Sequence, residues 1–113
     1  STRWQPWSEP QVAALTASGQ PVFVDFTAAW CVTCQVNKKT TLSNSGVLAD
    51  FDSRKVALLR ADWTRRDPAI TAALAALGRN GVPVYVLYRP GQTPLVMTEI
   101  LTPGEVRAAL ATL

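Results

Sequence analysis

The strongest constraint on this chain is a short run, Val22-Phe23-Val24-Asp25-Phe26, that leads after Thr27-Ala28-Ala29 into Trp30-Cys31-Val32-Thr33-Cys34. A strand with one wet face alternates polar and apolar side chains. A strand without that alternation is covered on both faces, as in the middle of a parallel sheet. Val56-Ala57-Leu58-Leu59 is a second run of this kind. Val84 to Tyr88 and Leu95 to Ile100 flank Arg89-Pro90-Gly91-Gln92, whose Pro-Gly marks a turn, so these two read as an antiparallel hairpin.

Helix signals separate the strands. Ser8 with Gln11 resembles a capping box, followed by Val12 and Leu15 and ended before Gly19. A second helical region begins at the cysteines, breaks near Ser43-Asn44-Ser45-Gly46, and resumes with Val47, Leu48 and Phe51 on one face. Asp67 and Pro68 form an N-cap and first-turn pair ahead of Ile70, Leu74 and Leu77, with Gly78 where a terminating glycine belongs. Thr102-Pro103-Gly104-Glu105 repeats the device, with Glu105 expected to reach back to the cap and Val106, Leu110 and Leu113 expected to face the core. The order α-β-α-β-α-β-β-α predicts an α/β fold: a central mixed β-sheet flanked by helices on both faces. Ser1 to Trp7 alone reads as a linker, which leaves 8–113 as one domain; a chain of 113 residues buries roughly two-thirds of its unfolded surface.

The net charge is +3, and the basic residues are scattered as singles or pairs such as Lys38-Lys39 and Arg65-Arg66. That spacing reads as a solvated basic surface and points to no nucleic-acid partner. The longest nearly apolar stretch, Ala69 to Leu77, is about half the ~20 residues that cross a bilayer. No charged start followed by an apolar segment is present, so the chain is expected to be cytosolic or to owe its address to a segment outside this stretch.

With two cysteines and no histidine, Ser-His-Asp and Cys-His catalysis and every histidine-containing zinc site are excluded. Cysteines three apart on a helix share a face. A thiol at the helix start also meets unpaired N–H groups and the positive end of the dipole, so Cys31 is expected to have a pKa below the free value of about 8.5. Cys34, one turn in, lacks most of that help. The asymmetry assigns external attack to Cys31 and resolution of the mixed disulfide to Cys34. A zinc site, a purely structural disulfide and two inert thiols are the plainer readings. Zinc would need carboxylates to complete its ligands, and so short a disulfide loop removes little unfolded-state entropy.

Asp25 interrupts an otherwise apolar strand. Burial there should raise its pKa and suit it to take the Cys34 proton, unless it simply meets solvent or a basic partner. Val82-Pro83 is either a proline tolerated at a strand start or a cis bond that leaves the Val82 backbone free to pair with an incoming extended peptide.

Strand, Trp-Cys-x-x-Cys on a helix, an upstream Asp and Gly81-Val82-Pro83 before the hairpin together resemble the thioredoxin fold over nearly the whole chain. Pro21 to Lys38, Ala61-Asp62-Trp63-Thr64 and Gly78 to Pro83 resemble more specifically the C-terminal periplasmic thioredoxin-like domain of the DsbD family of membrane electron transporters, including its ScsB-type relatives. The resemblance implies that Cys31 and Cys34 are the redox pair, Asp25 the buried acid, Pro83 a cis-proline and Trp30 a shield over the dithiol, with a plain core aromatic as the alternative for Trp30. It implies no metal or organic cofactor, only the Cys31–Cys34 disulfide. It further implies a monomeric periplasmic domain of an inner-membrane protein, reduced by that protein's membrane-embedded domain and reducing a periplasmic thiol protein or the same transporter's N-terminal domain. Lys38 departs from the pattern, because better-known members carry an acid four residues after the second cysteine; a cation there favours thiolate. A free-standing thioredoxin-like oxidoreductase of either direction and a non-catalytic binding module on the same fold are the other readings.

Overall fold

The computed structural model describes residues 3–113. The chain runs β1 (Gln5–Pro6), α1 (Glu9–Ala17), β2 (Val22–Thr27), α2 (Val32–Thr40), α3 (Ser45–Ser53), β3 (Ala57–Asp62), α4 (Pro68–Ala76), β4 (Val84–Tyr88), β5 (Leu95–Val96) and α5 (Pro103–Leu110). The five strands form one mixed sheet in the order β1-β3-β2-β4-β5. β1 and β2 pair with β3 in parallel, whereas β4 pairs antiparallel with β2 and β5. This is the mixed sheet expected from the two kinds of strand.

The caps act as their residue types dictate. The Ser8 and Asn44 side chains accept from the amides of Gln11 and Val47, and Asp67 accepts from Ala69 and Ile70. Asn44 also explains the break between α2 and α3, since one side chain there ends one helix's sequence pattern and caps the next. Gly78 has φ +75°, the left-handed conformation that stops α4 at low cost only with glycine.

Because β2 lies between two neighbours, its alternate side chains build two cores. Phe23 joins Leu58, Tyr85 and Leu87 beneath Val47 and Phe51 of α3 and Val106 and Leu110 of α5. Val22, Val24 and Phe26 join Leu59, Ala61, Val84 and Val86 beneath Ile70 and Leu74 of α4, with Val12 and Leu15 of α1 at the margin. Burying a large side chain of this type contributes roughly 1.5–3 kcal/mol.

Three expectations change. Gln5 and Pro6 pair with Leu59 and Arg60, so the segment read as a linker enters the sheet; Trp4 packs edge-on against Phe23 and Trp7 against Phe26. Residues 1–2 of that segment lie outside the described residues. The last strand ends at Val96 rather than Ile100. Met97 makes one more bond to Tyr85, and then side chains compete successfully for the backbone: Glu105 accepts from the Thr98 amide, while Asn37 donates to the Glu99 carbonyl and accepts from the Leu101 amide. Glu105 therefore reaches Thr98, not the α5 cap; Thr102 still accepts from the Glu105 amide.

Candidate functional site

The dithiol sits where β2 hands over to α2. Cys31 is the N-cap of α2 and is joined to Cys34 in a disulfide, with Cα atoms 5.3 Å apart. The Cys34 amide donates to Cys31 Sγ at 3.2 Å. That amide is one of the helix-start donors that would stabilise a thiolate at Cys31 after reduction. Cys31 is 7% exposed and Cys34 fully buried, so of the pair only Cys31 reaches the surface. Ala28 and half-buried Val82 pack against the pair.

Hydrogen bonds fix the approach to α2. Ala28 carbonyl accepts from the Cys31 amide and from Gln35 Nε2. From the β3–α4 connection, the Thr64 hydroxyl accepts from the Ala29 amide, and the Thr64 carbonyl accepts from Trp30 Nε1 at 3.1 Å. Trp30 is 50% exposed, so it is no core aromatic. Its ring leans on Trp63, and the Arg66 guanidinium lies over both rings.

The Val82-Pro83 bond is cis, the conformation implied by the resemblance. Among the described residues, no backbone hydrogen bond is made by Val82, which lies outside β4 beside the dithiol.

Asp25 is fully buried in the middle of β2. Its parallel-strand partner is Arg60, whose Nε donates to Asp25 Oδ2 at 3.0 Å, while Oδ1 has no partner. Two influences oppose here. Burial pushes the Asp25 carboxyl up, and the Arg60 and Lys38 charges pull it down; burial wins, and the pKa is raised. Asp25 therefore meets a basic partner, and burial still holds its carboxyl above the ordinary aspartate range. Lys38, four residues beyond Cys34, donates from Nζ to the Thr27 hydroxyl at 2.8 Å. Burial lowers its pKa, partly offset by the attraction of Asp25.

Arg60 and Thr64 are neighbours of the site to which the sequence reading assigned no role, Thr64 entering it only within the Ala61-Asp62-Trp63-Thr64 block. Arg60 had a signal: it is the one charged residue in the apolar stretch from Val56 to Ala61, and aligning the two apolar runs places it beside Asp25. Thr64 had none, because its role depends on a loop conformation. Among the described residues, no group of three or more acidic or cysteine side chains could hold a metal ion. No helix among them is long and apolar enough to cross a membrane.

A parallel-core mixed sheet with a disulfide at the start of the helix after β2 and a cis-proline beside it defines a class, and residues 3–90 match the thioredoxin-like family; the chain belongs to that family. Within it, the similarity runs to the thiol:disulfide interchange proteins DsbD. The chain is 29% identical over 111 residues to DsbD 1 of Pseudomonas aeruginosa and 33% identical over 87 residues to DsbD of Klebsiella pneumoniae, alignments that cover 94% and 77% of this chain. They span only 18% and 14% of those relatives. The oxidised C-terminal domain of Neisseria meningitidis DsbD has the same fold, with a TM-score of 0.72 at 20% identity over 93% of this chain and 97% of that one.

Proposed function

We propose that this domain is a thiol:disulfide oxidoreductase that accepts electrons from a membrane-embedded domain of a larger protein and passes them to a periplasmic disulfide partner. The observation that carries the chemistry is the unequal burial of two bonded cysteines at one helix start. In the reduced state, Cys31 thiolate attacks one sulfur of the partner disulfide; a mixed disulfide forms and the partner's other sulfur leaves as thiolate. Cys34 then loses its proton to Asp25, directly or through water, and attacks Cys31 Sγ. The partner's second thiolate leaves, and the Cys31–Cys34 disulfide remains. Two electrons have moved to the partner, and a donor dithiol on the membrane side restores the pair.

The transporter context rests on similarity to DsbD relatives of which this chain matches less than a fifth. Trp30, Val82 and Pro83 form the docking edge in this reading: Trp30 flanks the accessible sulfur, and the unpaired Val82 backbone suits an extended peptide. The domain acts as a monomer facing the periplasm and uses no cofactor beyond its own disulfide.

Cys34→Ser tests the division of roles. Incubated with a disulfide-bonded partner, it should accumulate a mixed disulfide through Cys31, seen as a mass increase that dithiothreitol removes. A mass increase on Cys31→Ser instead, or on neither variant, refutes the assignment.

A further inference from the structure

The N-terminal strand reaches the buried acid through one cation. Pro6 lies opposite Arg60 in the β1–β3 ladder, and the Trp7 amide donates to the Arg60 carbonyl at 3.0 Å. Those contacts fix the Arg60 backbone, not its side chain. The side chain leaves β3 beside Asp25, and its Nε donates to Asp25 Oδ2 at 3.0 Å. That is a one-point attachment. Asp25 Oδ1 has no partner, so the pair lacks the two-bond fork that would hold a guanidinium by itself. With the Arg60 side chain 30% exposed, water competes for it.

Trp4 supplies the second grip. The Arg60 guanidinium carbon lies 4.2 Å from the centroid of the Trp4 ring. The same ring packs edge-on against Phe23, which stands two residues before Asp25 and so projects from the same face of β2. Trp4 is thus anchored on the strand that carries Asp25 and rests against the cation that pairs with it. The other groups around Asp25 are held without Trp4. Lys38 from α2 bonds the Thr27 hydroxyl and is drawn on by Asp62 of β3; Tyr85 lies opposite on β4, its hydroxyl accepting from Asn37. Among the described residues, Arg60 is therefore the charged neighbour of Asp25 whose placement depends on β1.

We propose that Trp4 is a positioning residue for the proton transfer: its ring holds Arg60 on Asp25 Oδ2, so the seating of β1 sets how readily Asp25 takes the Cys34 proton. The proposal rests on the oxidoreductase reading above, in which Asp25 is the proton acceptor. Without the ring the guanidinium swings towards solvent, its pull on the carboxylate weakens, and Asp25 keeps its proton to higher pH.

The test follows the Asp25 carboxyl directly, by carbon NMR titration of the oxidised 113-residue chain. Trp4→Leu keeps apolar cover without a π face and should raise the midpoint by about 0.4–0.7 of a pH unit, the range an exposed cation–π contact allows. Trp4→Phe should raise it less, because a phenyl ring keeps part of the attraction. In an Arg60→Gln background, Trp4→Leu should leave the midpoint where it is. Protection of the Trp7 amide reports that β1 stays paired; should leucine unpair it, the phenylalanine variant carries the comparison in both backgrounds. A midpoint unmoved or lowered by losing the tryptophan, or an equal rise with and without Arg60, overturns the proposal. Exchange rates of the reduced variants with a disulfide-closed peptide test the reading beneath it, and the limb that reports Asp25 should move up by the same amount. A raised NMR midpoint with an unmoved rate profile refutes Asp25 as proton acceptor, and no exchange at all refutes the oxidoreductase reading; the hold of Trp4 on Arg60 is decided by the NMR midpoints in either case.

Discussion

Replacing Asp25 by asparagine should make the oxidised protein more stable at neutral pH, although the change removes an ion pair. Asp25 is fully buried, with one carboxylate oxygen unpartnered and the other accepting from Arg60 at 3.0 Å. Removing an ion from water costs several kcal/mol, whereas a charge-assisted hydrogen bond returns about 1.5–3 kcal/mol. Arg60 is not stranded by the substitution, because its side chain is 30% exposed and lies over the Trp4 ring. The balance favours the Asp25→Asn variant by about 1–3 kcal/mol. The pH dependence fixes the sign independently. The folded carboxyl has a pKa raised above its unfolded value, so the native state holds more protons between the two. Stability therefore falls as pH rises through that interval, and the deficit is complete above the folded pKa. Urea unfolding of the native chain and of Asp25→Asn should give the variant its advantage at about pH 8 and little difference near pH 4. A less stable variant at the higher pH, or an advantage that is the same at both, would refute the reasoning.

Three further outcomes follow from neighbouring contacts. Arg60→Met leaves the Asp25 carboxylate buried without its nearest counter-charge; it should destabilise by about 2–3 kcal/mol at about pH 8 and by less near pH 4, in the same urea titrations. Lys38→Gln removes a charge that pulls the Asp25 carboxyl down, so the limb of the exchange-rate profile that reports Asp25 should move to higher pH. Phe51→Ala empties the centre of the α3–α5 core, where the Phe51 ring centroid lies 5.2 Å from that of Phe23, and should lower stability by about 3–5 kcal/mol without altering exchange per folded molecule.

Sheet, helices and caps were legible because each had a local cause. The unalternating run at Val22–Phe26 demanded cover on both faces, and Asp67-Pro68 and Thr102-Pro103 marked helix starts by side-chain chemistry. The cysteine positions were equally legible, since a CxxC after a buried strand falls where the next helix opens. What escaped depended on distant partners. Gln5–Pro6 is too short and polar to announce a strand, and it becomes one only because β3 offers an edge. The tail of the final strand was lost to Asn37 and Glu105, residues remote in sequence from Thr98 to Leu101.

The pairing of β1 on β3 has a consequence for encounters between copies. The sheet ends on one side with Gln5–Pro6, where proline supplies no amide hydrogen, and on the other with Leu95–Val96. Neither margin offers a ladder long enough to recruit another chain by lateral strand addition. The peptide pairing proposed at Val82 would thus meet no competition from lateral strand addition at either margin. Crowded copies can lie side by side without stitching their own sheets together.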